Sequence, residues 1–306
     1  MGNSKTALTR EEKRGILAGI FCYALWGLFP IYWKLLDEVH PGEIIVHRIV
    51  WCFVTTALVV LIARLDIASL IRDSRAWKIL VPAAILVTAN WSIFIFAVSI
   101  DRIVETSIGY YLNPLVTILF GVIFFRERLT RIQLVAVTLC AIGLAFFTWS
   151  YGHFPWISIG LALTFAAYGA LKKKGGYPPI EALAFENAIM VLPAIIAGIV
   201  IAHVTGSHAF LGSMSAHGWL ITLLLIGAGP VTALPLIFFA RAANDIPLSL
   251  LGFIQYLSPT LSLLLGVFVY GETFTLAHGI CLGLIWTGIA LVSVETAMRG
   301  RVSPKK

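Results

Sequence analysis

Short polar breaks divide this chain into long apolar runs. A helix needs roughly 20 mostly apolar residues to cross about 30 Å of hydrocarbon. Runs of that kind occupy residues 15–35, 43–63, 78–99, 104–125, 131–149, 155–172, 180–202, 218–240, 246–269 and 274–296, and the breaks at 100–103 and 270–273 are very short. The pattern predicts an all-α polytopic membrane protein with ten transmembrane helices. The first fourteen residues are polar, with no cleavage site before the first run, so that run reads as a membrane helix rather than a secretory signal.

Composition sharpens this expectation. Only 12% of the 306 residues are charged and 59% are hydrophobic, with a mean hydropathy of +0.93. A soluble domain carries about 25% charged residues, so this chain is too poor in polar groups to wet its own surface, and lipid is the expected cover. The net charge of +7 does not point to nucleic acid, because the basic residues sit in the breaks between apolar runs. With both termini placed in the cytoplasm, 19 of the 22 Lys and Arg fall on the cytoplasmic side, the exceptions being Lys34, Arg48 and Arg102. Basic residues fix orientation in this way. Cys22, Cys52, Cys140 and Cys281 all lie inside apolar runs without metal-ligand spacing. They read as packed small hydrophobes, not as a disulfide framework or a metal site.

The chain also repeats itself. Displaced by 145 residues, Tyr111, Leu112 and Pro114 meet Tyr256, Leu257 and Pro259. In the same register Gly121, Val122, Glu127, Thr130 and Gly143 meet Gly266, Val267, Glu272, Thr275 and Gly288. At an offset of 142, Ala24, Trp26 and Gly27 meet Ala166, Tyr168 and Gly169. Five spans per repeat is an odd number, so the second repeat must enter the membrane upside down. Arg126, Arg128 and Arg131 accordingly align with Gly271, Thr273 and Leu276, which carry no charge. The predicted organisation is a cytoplasmic tail (1–14), a first five-helix repeat (15–149), an inverted second repeat (150–296) and a cytoplasmic tail (297–306). Inverted repeats characterise secondary transporters, in which two halves rock about a site near the midplane.

Ionisable residues at membrane depth are costly and mark candidate function. Glu43 and His47 lie four apart on one face of span two, and Arg48 follows, able to snorkel outward. Glu186 and Asn187 lie about a third of the way into span seven, where the carboxyl should face the bundle interior. Glu43, His47, Arg48 and Glu186 are thus candidates for substrate handling or proton coupling. Asn113-Pro114 and Ser258-Pro259 occupy matched positions in spans four and nine. A mid-helix proline removes one backbone hydrogen bond, which makes Pro114 and Pro259 candidate hinges. Trp26, Asn90, Trp91, Tyr110, Asn113, Tyr168, Gln255 and Tyr256 are candidate cavity residues. No HExxH, GxSxG or P-loop occurs, so neither an enzyme nor a cofactor is expected. The run Lys172-Lys173-Lys174 reads as a cytoplasmic stop signal.

Several stretches carry a family likeness. They include Trp26-Gly27-Leu28-Phe29-Pro30, His47-Arg48-Ile49-Val50-Trp51, Asn90-Trp91 and Gly109-Tyr110-Tyr111-Leu112-Asn113-Pro114-Leu115. Later come Gly229-Pro230-Val231-Thr232-Ala233-Leu234-Pro235 and Leu251-Gly252-Phe253-Ile254-Gln255-Tyr256. With these strings, over residues 15 to 295, the chain resembles the EamA branch of the drug/metabolite transporter superfamily, and within it the RarD-type, or chloramphenicol-sensitive, proteins. Where their pattern has Glu-Thr in span seven, this chain has Glu186-Asn187. The resemblance implies a bacterial inner-membrane permease with a central cavity lined by both halves and no settled substrate. The expected partners are a small solute and the lipid bilayer, with the protein a monomer or homodimer. The alternatives are a non-transporting scaffold or sensor, which would not account for an inverted repeat with paired prolines, and a membrane-embedded enzyme, which would need a nucleophile or metal cluster at depth that the sequence does not offer.

Overall fold

The computed structural model describes residues 8–100, 103–152, 154–206, 210, 218–271 and 275–301. Lys5, Arg102, Glu272, Thr273, Lys305 and Lys306, used above for orientation or repeat matching, lie outside them. The described residues fold into helices alone: α1 (Arg10–Lys34), α2 (Pro41–Ile62), α3 (Ile67–Arg72), α4 (Ser74–Ser99), α5 (Ile103–Phe125), α6 (Arg131–Tyr151), α7 (Trp156–Gly175), α8 (Pro179–Thr205), α9 (Gly218–Asp245), α10 (Leu248–Gln255), α11 (Leu257–Phe268) and α12 (Leu276–Arg301).

Local sequence explains where they begin and end. Thr9 and Thr130 open α1 and α6 with reciprocal capping boxes to Glu12 and Gln133. Pro41 and Pro179 stand in the first turns of α2 and α8, where a missing N–H costs nothing. Gly152, Gly176 and Gly206 end α6, α7 and α8 in the left-handed conformation, with φ of +79°, +64° and +67°. An L side chain is disfavoured there.

Nine segments among the described residues are long and apolar enough to cross a membrane, one of them Leu248–Phe268, formed by α10 and α11 together. Large apolar side chains such as Ile62, Trp149, Val204 and Phe268 are exposed on the outside of the bundle. A soluble monomer does not leave such surface uncovered. The 20-residue α7, the sixth run of the sequence, is less apolar and carries Lys172, Lys173 and Lys174 in its last turn. Two features differ from the run pattern. The break between the second and third runs holds the short helix α3, capped by Asp66 onto Ser69. The ninth run is broken at Tyr256, so Pro259 is the third residue of α11 and needs no hydrogen-bond partner there. Pro114, its sequence match, lies inside uninterrupted α5.

Helix packing follows a simple pattern. α1 packs on α9, α10 and α11, and α2 on α8 and α9. α4 packs on α7 and α8, α5 on α7 and α10, and α6 on α12. Small residues set these approaches. A Cβ on Gly27 would lie 2.6 Å from Leu261 Cβ, and one on Gly252 would lie 2.8 Å from the Pro114 carbonyl oxygen. The largest buried cluster gathers Tyr23, Phe165, Tyr168 and Phe239 with the partly buried Trp26 at the centre of the bundle. The four cysteines are buried and free.

Candidate functional site

Two charged positions lie at the same depth from opposite ends of the bundle. Arg48 is the eighth residue of α2 and Glu186 the eighth of α8, each helix starting on a proline. At 1.5 Å per residue that is about 10 Å inside each helix start.

Glu186 is 2% exposed. Lys172 Nζ, on the last turn of α7, donates to Glu186 Oε1 at 2.7 Å, and the Tyr168 hydroxyl donates to Oε2 at 3.3 Å. Tyr168 is fully buried and stacked on Phe239, with ring centroids 5.5 Å apart and planes 12° from parallel. The neighbouring Asn187 donates from Nδ2 to Cys52 Sγ on α2 at 3.2 Å. Lys172 therefore corrects the reading of its run as a mere stop signal: this lysine is 4% exposed and ion-paired. Its connection was legible in spacing. Residues 172 and 186 stand seven residues either side of 179, the start of α8 after the Gly175-Gly176 turn, so an antiparallel hairpin brings them level.

The same end of the bundle holds a second carboxylate with a lysine. Glu127 accepts from the Leu248 and Ser249 amides, both at 2.8 Å, and thus caps the start of α10. Lys173 Nζ lies 3.9 Å from Glu127 and donates to the Ile246 carbonyl at 2.7 Å. A Cβ on Gly121 would lie 2.6 Å from Glu127 Oε2, so the absence of a side chain at Gly121 makes room for that carboxylate. Nearby, outside the spans, Tyr177 donates to Asp73 Oδ2 at 2.8 Å. That hydrogen bond, ahead of the Arg75 amide, holds the Asp73 carboxyl below its ordinary value, while burial, and after it the same hydrogen bond, raises the Tyr177 phenol.

Arg48 is surrounded differently. Its guanidinium lies 4.8 Å from the Trp33 ring centroid and 4.4 Å from that of Trp91, and its Nε donates to Thr232 Oγ1 at 3.3 Å. The expected outward snorkelling is therefore corrected: the cation turns inward onto α1, α4 and α9, where aromatic faces stabilise it. Glu43 and His47 form a separate group. Glu43 Oε1 accepts from the Phe210 amide at 3.0 Å and lies 4.0 Å from His47 Nε2. Trp51 Nε1 donates to His47 Nδ1 at 3.0 Å, which leaves the ring proton on Nε2, toward Glu43.

The other candidate cavity residues divide. Asn90 clips α4 to α7, donating to the Leu161 carbonyl at 2.8 Å and to Thr164 Oγ1 at 2.9 Å. Asn113 and Gln255 are buried and both accept from the Thr117 hydroxyl, at 3.5 and 3.2 Å. Tyr256 is fully buried against α5, α6 and α12. Trp26 packs edge-on to Tyr23 and Phe165. Tyr110 alone of this set is substantially exposed, at 44%, with its ring 6.0 Å from that of Phe94. A narrow crevice lined by Val87, Trp91, Glu186, Asn187, Met190 and Leu236 connects the surroundings of the two charged sites. Its free volume is about 10 Å³, enough for about one water molecule and too little for a solute. Lys172 was read only as part of a stop signal, and Thr232, Trp33 and Phe239 were not taken as candidate site residues, because none departs from an ordinary span hydroxyl or aromatic until its neighbours are known.

Comparison with known proteins places this multi-pass bundle among membrane transporters. Residues 13–149 and 155–294 match the EamA-like transporter family, so the chain belongs to that family. A protein of Vibrio cholerae serotype O1 described as an uncharacterized transporter is 38% identical over 296 residues, covering 96% of each chain. Protein RarD of Streptomyces exfoliatus is 38% identical over 297 residues, covering 95% of this chain and 92% of its own, and the chain is of the RarD type. A crystal structure with 18% identity superposes with a TM-score of 0.71 over 92% of this chain and 98% of its own, a likeness of fold.

Proposed function

We propose that the protein is a secondary transporter that carries a small metabolite or drug across the bacterial inner membrane by alternating access between two inverted five-helix halves, residues 15–149 and 150–296. In this reading α7 is the sixth span and α10 with α11 the ninth, giving ten spans with both termini in the cytoplasm. The observation that carries it is the packing pattern. Span one packs on eight and nine, and span six on three and four; span two packs on seven and eight, and span seven on two and three. Four pairs with nine and five with ten. Exchanging the halves carries these principal contacts onto themselves. Gly143 packs against Cys281 as its match Gly288 packs against Ala136, and residues 136 and 281 are themselves 145 apart.

Such near-equivalence supports two conformations of similar energy, each half taking the other's role. The structure then corresponds to a state closed at the end bearing the chain termini, where Lys172 holds Glu186 and Lys173 holds the α9–α10 turn. Glu186 is the proposed proton-coupling group: protonation would neutralise it and release Lys172. The test is solute counterflow in vesicles carrying the full chain, with chloramphenicol and a metabolite panel, with and without a pH gradient. The reading expects at least one solute to cross faster than in protein-free vesicles, and Glu186→Gln to lose the response to the gradient. Gradient-driven transport that survives in Glu186→Gln removes the coupling role. Absence of any protein-dependent flux removes the transporter mechanism.

A further inference from the structure

Resting on the transporter reading, we propose that Arg48 is the recognition point for the carboxylate of a monoanionic organic solute with an apolar body. A guanidinium carries five N–H donors in one plane. The only hydrogen bond that Arg48 makes among the described residues is from Nε to Thr232 Oγ1, and no carboxylate among them comes within ion-pair distance. Its donors on the two terminal nitrogens are therefore left for another acceptor. Trp33 and Trp91 lie against the guanidinium at 4.8 and 4.4 Å, and packing between two indole rings restricts how it can turn. A planar fork so held matches the two oxygens of a carboxylate, and a lysine ammonium would not reproduce it.

Charge decides between acids. Lys172 neutralises Glu186 and Lys173 is shared between Glu127 and a carbonyl, so Arg48 is the uncompensated cation in the middle of the described bundle. One such charge balances a single carboxylate; a phosphate dianion would remain half unpaired at membrane depth, which is costly. The surroundings favour an apolar remainder: Trp33, Trp91 and the half-exposed Tyr110 beside Phe94. Tyr110 lies close enough to Arg48 for the two to interact electrostatically.

The test uses the purified full-length protein and three acids, benzoate, phenylacetate and hexanoate, each beside its neutral amide. Binding is read by isothermal titration calorimetry at neutral pH, and fold by size exclusion and circular dichroism. At least one acid is expected to bind the natural protein and its amide to bind roughly tenfold or more weakly. Arg48→Gln should abolish the difference between acid and amide. Arg48→Lys, which keeps the charge and loses the fork, should weaken acid binding while still preferring acid. Equal binding of acid and amide, an acid preference that survives in a folded Arg48→Gln protein, or no binding of any acid overturns the proposal. Counterflow with the same probes separates this from the transporter reading. Flux of neutral solutes alone leaves the transporter standing and removes the carboxylate. Arg48-dependent binding without flux of any solute leaves the carboxylate site and removes the transport.

Discussion

Arg48 and Glu186 occupy equivalent places, each the eighth residue of a proline-initiated helix, yet the chain treats them in opposite ways. Glu186 is given a lysine at 2.7 Å and a tyrosine hydroxyl, and is closed off completely. Arg48 is given two indole faces and one neutral hydroxyl. The first arrangement is complete without a ligand and, in the proposed mechanism, serves as a latch. The second stabilises the cation while leaving hydrogen-bonding capacity unused. Depth in the membrane thus does not determine what a charged residue does; the partners supplied by neighbouring helices do.

The largest effect should come from breaking the latch on one side. Lys172→Ala or Glu186→Ala leaves a buried charge without its partner and is expected to lower stability by about 3–5 kcal/mol. Lys172→Met combined with Glu186→Leu should recover most of that loss, because an apolar pair leaves no charge behind. Unfolding titrations of the three variants in mixed micelles measure this, and a double variant as unstable as either single would remove the pairing argument. Arg48→Met should change stability by no more than about 2 kcal/mol, since only neutral aromatic and hydroxyl partners remain. A loss matching that of Glu186→Ala would show that Arg48 has a carboxylate partner after all.

Glu127 offers a smaller contrast. It is a carboxylate whose main partners are backbone amides, so Glu127→Gln is expected to cost about 1 kcal/mol through the weakened start of α10. Smallest is the half-buried pair at the α3–α4 and α7–α8 turns. Asp73 is held below its ordinary value first by Tyr177. Its contribution is therefore present above the ordinary carboxyl range and is lost as pH falls through the lowered value. Tyr177→Phe should move Asp73 titration, followed by carbon-13 NMR of the labelled carboxyl, upward toward that range. An unmoved titration would assign the shift to the Arg75 amide instead.

Much of this was legible in the chain. Run lengths placed the helices to within a few residues, because the bilayer imposes a length on each apolar segment. The family strings and Glu186 as an inward-facing carboxyl were legible too. What remained hidden depends on pairing between distant helices. Lysines that follow an apolar run read as solvated anchors, and Lys172 became a buried partner only through the α7–α8 hairpin. Arg48 read as able to snorkel because Trp33 and Trp91 come from other spans. Pro114 and Pro259 read as equivalent bends, yet the helix breaks only before Pro259, at Tyr256, while α5 runs through Pro114.

The most direct test of alternating access is the distance between spin labels at Arg14→Cys and Lys174→Cys, exposed positions near the start of α1 and the end of α7. Those helix ends belong to opposite halves and are tied to the same α9–α10 turn through Gly15 and Lys173. In lipid vesicles the account predicts a short distance that gains a longer second population when Glu186→Gln releases Lys172. One unchanged distance in both proteins would contradict the exchange of the two halves.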